Sequence, residues 1–164
     1  MKKQDLKHNE FDIYYKRYID KLDDNTELIE SFEKGKLDMI SFYKSIPEDK
    51  LNYRYQTEKW SIKEILQHLI DTERIFMYRC FRIAREDKTA LAGFDQEIYI
   101  EPSRADVKSI DELLNEYCLN RNNSIALLQS LSDKNLCFIG NANGGHMSAR
   151  AAAFVISGHA IWHK

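Results

Sequence analysis

The run Ala151, Ala152, Ala153, Phe154, Val155 and Ile156 is apolar on every face of the helix it would form. Such a helix cannot lie against solvent and has to be surrounded by other elements. It opens at Ser148, whose hydroxyl can cap free backbone N–H groups, and continues to His163. Partners of the same kind are present upstream. Ser61 with Glu64, and Ser109 with Glu112, have the serine and glutamate spacing of a reciprocal capping box. The first box starts a helix through Ile62, Ile65, Leu66, Leu69, Ile75, Phe76 and Phe81 to about Arg85. Trp60, just ahead of the cap, is placed to staple against Ile65. The second box starts a helix with the stripe Leu113, Leu114, Tyr117, Ile125, Leu128 and Leu131.

An earlier helix is predicted from Thr26 to Ser45. Its stripe of Leu28, Ile29, Phe32, Leu37, Ile40 and Phe42 is weakened by Gly35 and stopped by Pro47. Residues 1–9 are polar and read as loose. From Phe11 to Leu22 the aromatic residues suit a short helix or an arm lying over the body, closed by the break Asp23, Asp24, Asn25. Residues 48–60 form a connector carrying Tyr53, Tyr55 and Trp60. Residues 87–105 read as a long loop that Leu91, Phe94 and Tyr99 pack down, and loops of that length are often functional. Residues 132–147 form the last connector, turning at Asn141–Gly145. The expected fold is all-α: an antiparallel four-helix bundle with a short N-terminal helix or arm, one domain over residues 1–164.

Composition narrows the classes further. Six Gly and two Pro are too few for the turns of a sandwich or barrel. A net charge of −2 makes no electrostatic case for nucleic acid. No stretch reads as a membrane span or secretory signal, and a soluble cytoplasmic protein is expected. The three cysteines, Cys80, Cys118 and Cys137, have no close spacing and read as reduced, small buried residues. There is no Ser–His–Asp or Cys–His arrangement and no phosphate-cradling glycine loop.

The chemistry points instead to histidine. Of the five, His8 lies in the loose start and His146 beside two glycines. His159 and His163 are four apart on the apolar helix, so their rings share one face and can grip one cation. A core histidine beside an exposed terminal one fits the same spacing. His68, between Leu66 and Leu69, is a polar ring among core residues and needs a partner. If its helix packs on the last one, three imidazoles converge. Such a donor set suits Zn²⁺ or Ni²⁺ and leaves coordination positions open for chemistry.

These residues carry a resemblance. The segment from Trp60 to Arg74, containing His68, resembles the first metal-ligand helix of the DinB-like (damage-inducible) superfamily. Residues 82–89 and 93–95 resemble its following loop, and Ser148–Ala151 through Gly158–His163 its last helix. The resemblance spans most of residues 11–163. It implies an antiparallel four-helix bundle, often a homodimer, with a divalent metal held by His68, His159 and His163. The branch it resembles contains metal-dependent hydrolases and bacillithiol-type thiol transferases, so a small-molecule substrate and a low-molecular-weight thiol are the implied partners. Nothing resembles the lesion-bypass polymerase that shares the name. The resemblance also implies further residues beyond the last histidine. Since the chain stops at Lys164, the last turn, with His163, is expected to fray. Asp71 is a candidate to orient a ligand ring, Glu73 a weaker one, and Arg150 a candidate for an anionic substrate group. A solvated carboxylate fits Asp71 equally, and a salt bridge to a neighbour is the simpler reading of Arg150. Tyr14, Tyr18, Tyr53 and Trp60 are candidate pocket walls, with ordinary packing the simpler reading of each.

Overall fold

The computed structural model describes residues 1–164. Short 3₁₀ turns at Lys3–Asp5, His8–Glu10 and Ile13–Tyr15 lead into α1 (Lys16–Ile19), and together they form the N-terminal arm. The longer elements follow: α2 (Leu28–Ser45), α3 (Ile62–Ala84), a short α4 (Glu97–Ser103) and α5 (Ile110–Gln129). A one-turn α6 (Asp133–Leu136) and a hairpin of β1 (Ile139–Ala142) and β2 (Gly145–Ser148) then deliver the chain to α7 (Ala149–His163).

The predicted caps form. Ser61 and Ser109 each accept the backbone N–H three residues on, while Glu64 and Glu112 return to the serine N–H groups. Ser148 accepts from the Ala151 N–H, 3.0 Å away. With its N-terminal donors satisfied, α7 can be buried along its length, and every residue from Ala149 to Ala160 is buried. It is helical through His163.

The long helices form a ring in which α7 and α5 each touch both α2 and α3. Cross-helix pairs fix the directions. Gln67 bonds Glu116, and Glu73 bonds Arg121 and Ser124, so α3 and α5 run the same way. Phe32 lies under Arg121, and Tyr43, further along α2, packs in one cluster with Tyr117, earlier on α5, while Ser31 bonds Ser157 and Lys164 lies over Phe42. Thus α2 runs with α7, and the antiparallel neighbours are α2 with α5 and α3 with α7. The connection over residues 85–109 therefore travels back along the bundle, and that passage explains its length.

That connection is not the irregular loop its sequence suggests. It contains α4, which tolerates Pro102 near its end before Arg104 turns left-handed with φ 52°. The connector before α7 likewise pairs into a small sheet, a departure from an all-α chain. Asn143 and Gly144 both have positive φ, 55° and 78°, as a two-residue hairpin turn requires. Leu91 exchanges backbone hydrogen bonds with Asn141 and Asn143, so the hairpin anchors the crossover.

Two apolar clusters fill the bundle. The larger joins the arm, α2, α3 and α7, and the smaller joins Met39, Tyr43, Leu66, Leu69, Leu113 and Tyr117 with Ala160. The residues from Met1 to Glu10 are tied down, not loose. The Glu10 carboxylate accepts from Arg150 Nε at 2.7 Å, and the Met1 amino group pairs with Glu27.

The arm meets α7 at Gly158. A Cβ there would lie 2.0 Å from the Tyr18 carbonyl oxygen, a backbone atom that cannot rotate aside. Gly158→Ala is expected to lower stability by about 1–3 kcal/mol through overpacking and to detach the arm. Thermal unfolding, with protease susceptibility of residues 11–22, checks this. An unchanged melting temperature would show that the contact is softer than its geometry.

Candidate metal centre

His68 sits in the second turn of α3, and His159 and His163 in the last turns of α7. Because those helices are antiparallel neighbours, the start of one meets the end of the other. His68 Nε2 lies 3.1 Å from His159 Nε2. The His163 ring centroid is 5.1 Å from that of His68 and 4.6 Å from that of His159. One ring nitrogen from each of the three falls within 4.8 Å of the others. The arrangement is a possible three-histidine metal site.

Its dimensions suit the task. Zinc–nitrogen bonds of about 2.0–2.1 Å place adjacent tetrahedral ligands about 3.3–3.4 Å apart, close to the observed separation of the two Nε2 atoms. Protonation favours it too. Burial first, then His163, holds His68 down to about 3. Burial first, then the other two rings, holds His159 well below its ordinary value, and burial lowers His163. All three are therefore neutral near pH 7, as donors to a cation must be.

Buried neutral rings have a consequence for the metal-free protein. Folded-state values below 6.5 mean that the unfolded chain binds protons the native state refuses. Stability is then full above pH 6.5 and falls as pH drops from there towards about 3, the His68 value. Each such ring contributes a slope of up to about 1.4 kcal/mol per pH unit. Urea midpoints of EDTA-treated protein should fall from pH 7 to pH 5. A flat profile would mean that the rings are hydrated or already charged.

The supports of the cluster differ from those expected. Thr72 Oγ1 lies 3.4 Å from His68 Nδ1. In the tautomer that frees Nε2 for a cation, Nδ1–H points at this hydroxyl. Thr72 was missed, although it follows His68 by one helical turn. Asp71 does not orient a ligand ring: its carboxylate accepts from Gln67 and Arg74, on the side of α3 that faces α5. Glu73 is farther still, in a buried pair with Arg121. Arg150 is engaged by Glu10 and by the Asp5 carbonyl, so it is not free for a substrate. His8 and His146 are exposed. The cysteines differ in burial. Cys80 is buried, which pushes its thiol up to about 12, whereas Cys118 is half-buried and Cys137 exposed.

Aromatic rings brace the histidines. Trp60 leans on His68 at 4.6 Å between centroids. Tyr18 meets His159 edge-on at 5.0 Å. Burial first, then Tyr14, pushes the Tyr18 phenol up to about 12, so it stays protonated. Tyr53 is exposed.

The cluster stands between two cavities. One, of about 300 Å³, reaches His159 and Thr72 from the arm side, with Tyr14 and Tyr18 in its wall. The other, of about 400 Å³, reaches His163 and Trp60. Gln96 and Glu97, at the start of α4, border both. The crossover therefore places a carboxylate beside the site, and neither residue stood out in the sequence beyond belonging to a long loop.

The family model of the DinB superfamily matches residues 32–164, and the chain belongs to that superfamily. Among solved structures it is similar to YfiT from Bacillus subtilis, described as a probable metal-dependent hydrolase with an unusual four-helix bundle topology. That similarity has a TM-score of 0.74 at 16% identity and covers 83% of this chain and 79% of YfiT. At such identity it shows the shared fold. No curated protein matches the sequence. No helix is long and apolar enough to cross a membrane.

Proposed function

We propose that this protein is a divalent-metal-dependent hydrolase whose cation is held by His68, His159 and His163. The observation that carries the reading is the convergence of three neutral imidazoles at the border of two cavities. Nitrogen donors of this kind favour Zn²⁺ or Ni²⁺. When bound, such a cation supplies Lewis acidity, which brings the pKa of a nucleophile towards neutrality. The chain's own groups do the rest. Thr72 sets the His68 tautomer, and Trp60 and Tyr18 keep the rings oriented and shielded from bulk water. Glu97, bordering both cavities, is the carboxylate placed to accept a proton from the attacking group.

The pair of cavities favours one second reading, a thiol S-transferase. A low-molecular-weight thiol would occupy one side and an electrophile the other. A non-catalytic metal-binding module is the alternative to both. The test begins with metal analysis of untagged protein, followed by ester and amide panels and a thiol-plus-electrophile panel. Saturable hydrolysis lost on chelation and restored by Zn²⁺ is the expected result. Turnover only with added thiol would move the assignment to the transferase. Stoichiometric metal with no turnover on any panel would leave a binding module.

A further inference from the structure

The cavity on the arm side holds a charge that nothing in the protein neutralises. Arg79, on α3, is 2% exposed and lines this cavity. Its Nη2 donates to the Ala92 carbonyl at 2.9 Å, but its Nε has no partner. No carboxylate lies within ion-pair distance of it. Its guanidinium rests instead on aromatic faces, 4.8 Å from the Phe76 centroid and 5.7 Å from that of Phe94. Tyr15 is its other polar neighbour. The contrast within this fold is sharp, since the buried Arg121 and Arg150 each have a carboxylate partner. An arginine keeps its charge in a protein, and a buried charge without a counter-ion is costly.

The position of Arg79 says what the missing counter-ion belongs to. Thr72, Phe76 and Arg79 follow at helical spacing on one face of α3, and all three line the cavity. Thr72 and His159 mark the end at the histidine cluster. Seven residues of helix rise separate Thr72 from Arg79 by about 10 Å along the axis. The wall between is aromatic, and the two acidic residues on it, Asp95 and Glu97, are solvent-exposed.

We infer that Arg79 is the anion-recognition residue of this cavity, and that the substrate is a small carboxylate whose acid group lies at Arg79. Its apolar middle lies along Phe76, and its reacting group reaches the histidine cluster. A guanidinium fork suits a planar carboxylate, which it can hold by two parallel bonds. The inference deepens the hydrolase reading and rests on it for the reacting end. The anion end stands on Arg79 alone.

The test uses 3-phenylpropionate and its neutral isostere 3-phenylpropanamide, with binding measured by calorimetry. EDTA-treated protein is measured first, so that a cation cannot hold the carboxylate. The expected result is that the wild-type protein binds the acid roughly 10- to 100-fold more tightly than the amide, the difference a charge-assisted hydrogen bond makes. Arg79→Met should remove that preference while melting no lower than wild type, because it deletes an uncompensated buried charge. Arg79→Lys should keep a weakened preference. Equal binding of acid and amide by wild-type protein, or binding of neither, overturns the inference without any variant. So does a preference that survives in Arg79→Met. If the preference holds but untagged protein carries no metal, the anion pocket stands and the hydrolase reading falls. If metal is bound and wild-type protein shows no preference, the reverse holds.

Discussion

His68→Ala should strip the metal from this protein while leaving the bundle folded. Apparent binding free energies of about 10–16 kcal/mol for four-ligand zinc sites correspond to about 3 kcal/mol per ligand, a loss in affinity on the order of 100-fold or more. His68 is also the only one of the three on α3. Without it the two remaining imidazoles sit on a single helix, and nothing from across the bundle closes on the cation. The fold should survive because His68 makes no ion pair and bonds only the neighbouring histidine and Thr72. Metal content by mass spectrometry after dialysis, beside far-ultraviolet circular dichroism, reads both halves of this expectation. Stoichiometric metal in a folded His68→Ala protein would show that the third ligand lies elsewhere.

Glu73→Ala should have the opposite profile: a large loss of stability with no specific loss of metal. The Glu73 carboxylate accepts from Arg121 Nε at 3.0 Å and Nη2 at 2.7 Å on one oxygen, and from Ser124 Oγ at 2.7 Å on the other. Both charged side chains are almost wholly enclosed, at 1% and 2% exposure. Arg121 also lies over the Phe32 ring at 4.6 Å, so the pair links α2, α3 and α5. Removing one partner leaves the other charge buried alone, a cost of about 3–5 kcal/mol. For a chain of this size that is a fall of roughly 6–20 °C in melting temperature. Exchanging both for apolar residues of similar volume, as in Glu73→Leu with Arg121→Met, should recover most of the loss, since two desolvation costs vanish together. A thermal melt of the single and double variants separates these outcomes. If Glu73→Ala melts within a degree or two of wild type, water hydrates the pair in the native state and the ion pair does not hold the three helices together.

The two predictions show where sequence reasoning succeeds and where it stops. His68 and Glu73 lie five positions apart on the same helix, and both were considered for the metal site. The histidine joins the α7 pair, while the glutamate faces Arg121 on a helix that the sequence could not orient. Asp71 failed for the same reason: its carboxylate turns towards α5 and Arg74, not towards the imidazoles. Arg150 drew notice because it opens the last helix, yet Glu10, near the opposite end of the chain, claims it. Arg79 drew none. In sequence it is one of many basic residues, and only its enclosure without a carboxylate sets it apart.

Local chemistry was readable because its partners lie within about one turn of each other. The capping boxes at Ser61 and Ser109, the start of α7 at Ser148, the burial of Ala151–Ile156 and the shared face of His159 and His163 are all of this kind. Each depends on helical geometry alone, which is the same in any fold. The shared direction of α3 and α5, the arm pressed on Gly158, the hairpin that anchors the crossover and the cavity that isolates Arg79 depend on docking. They are set by how whole faces fit across the bundle, where every contact joins residues far apart in the chain. The site has both origins: two imidazoles placed by one helix, and a third brought to them by packing.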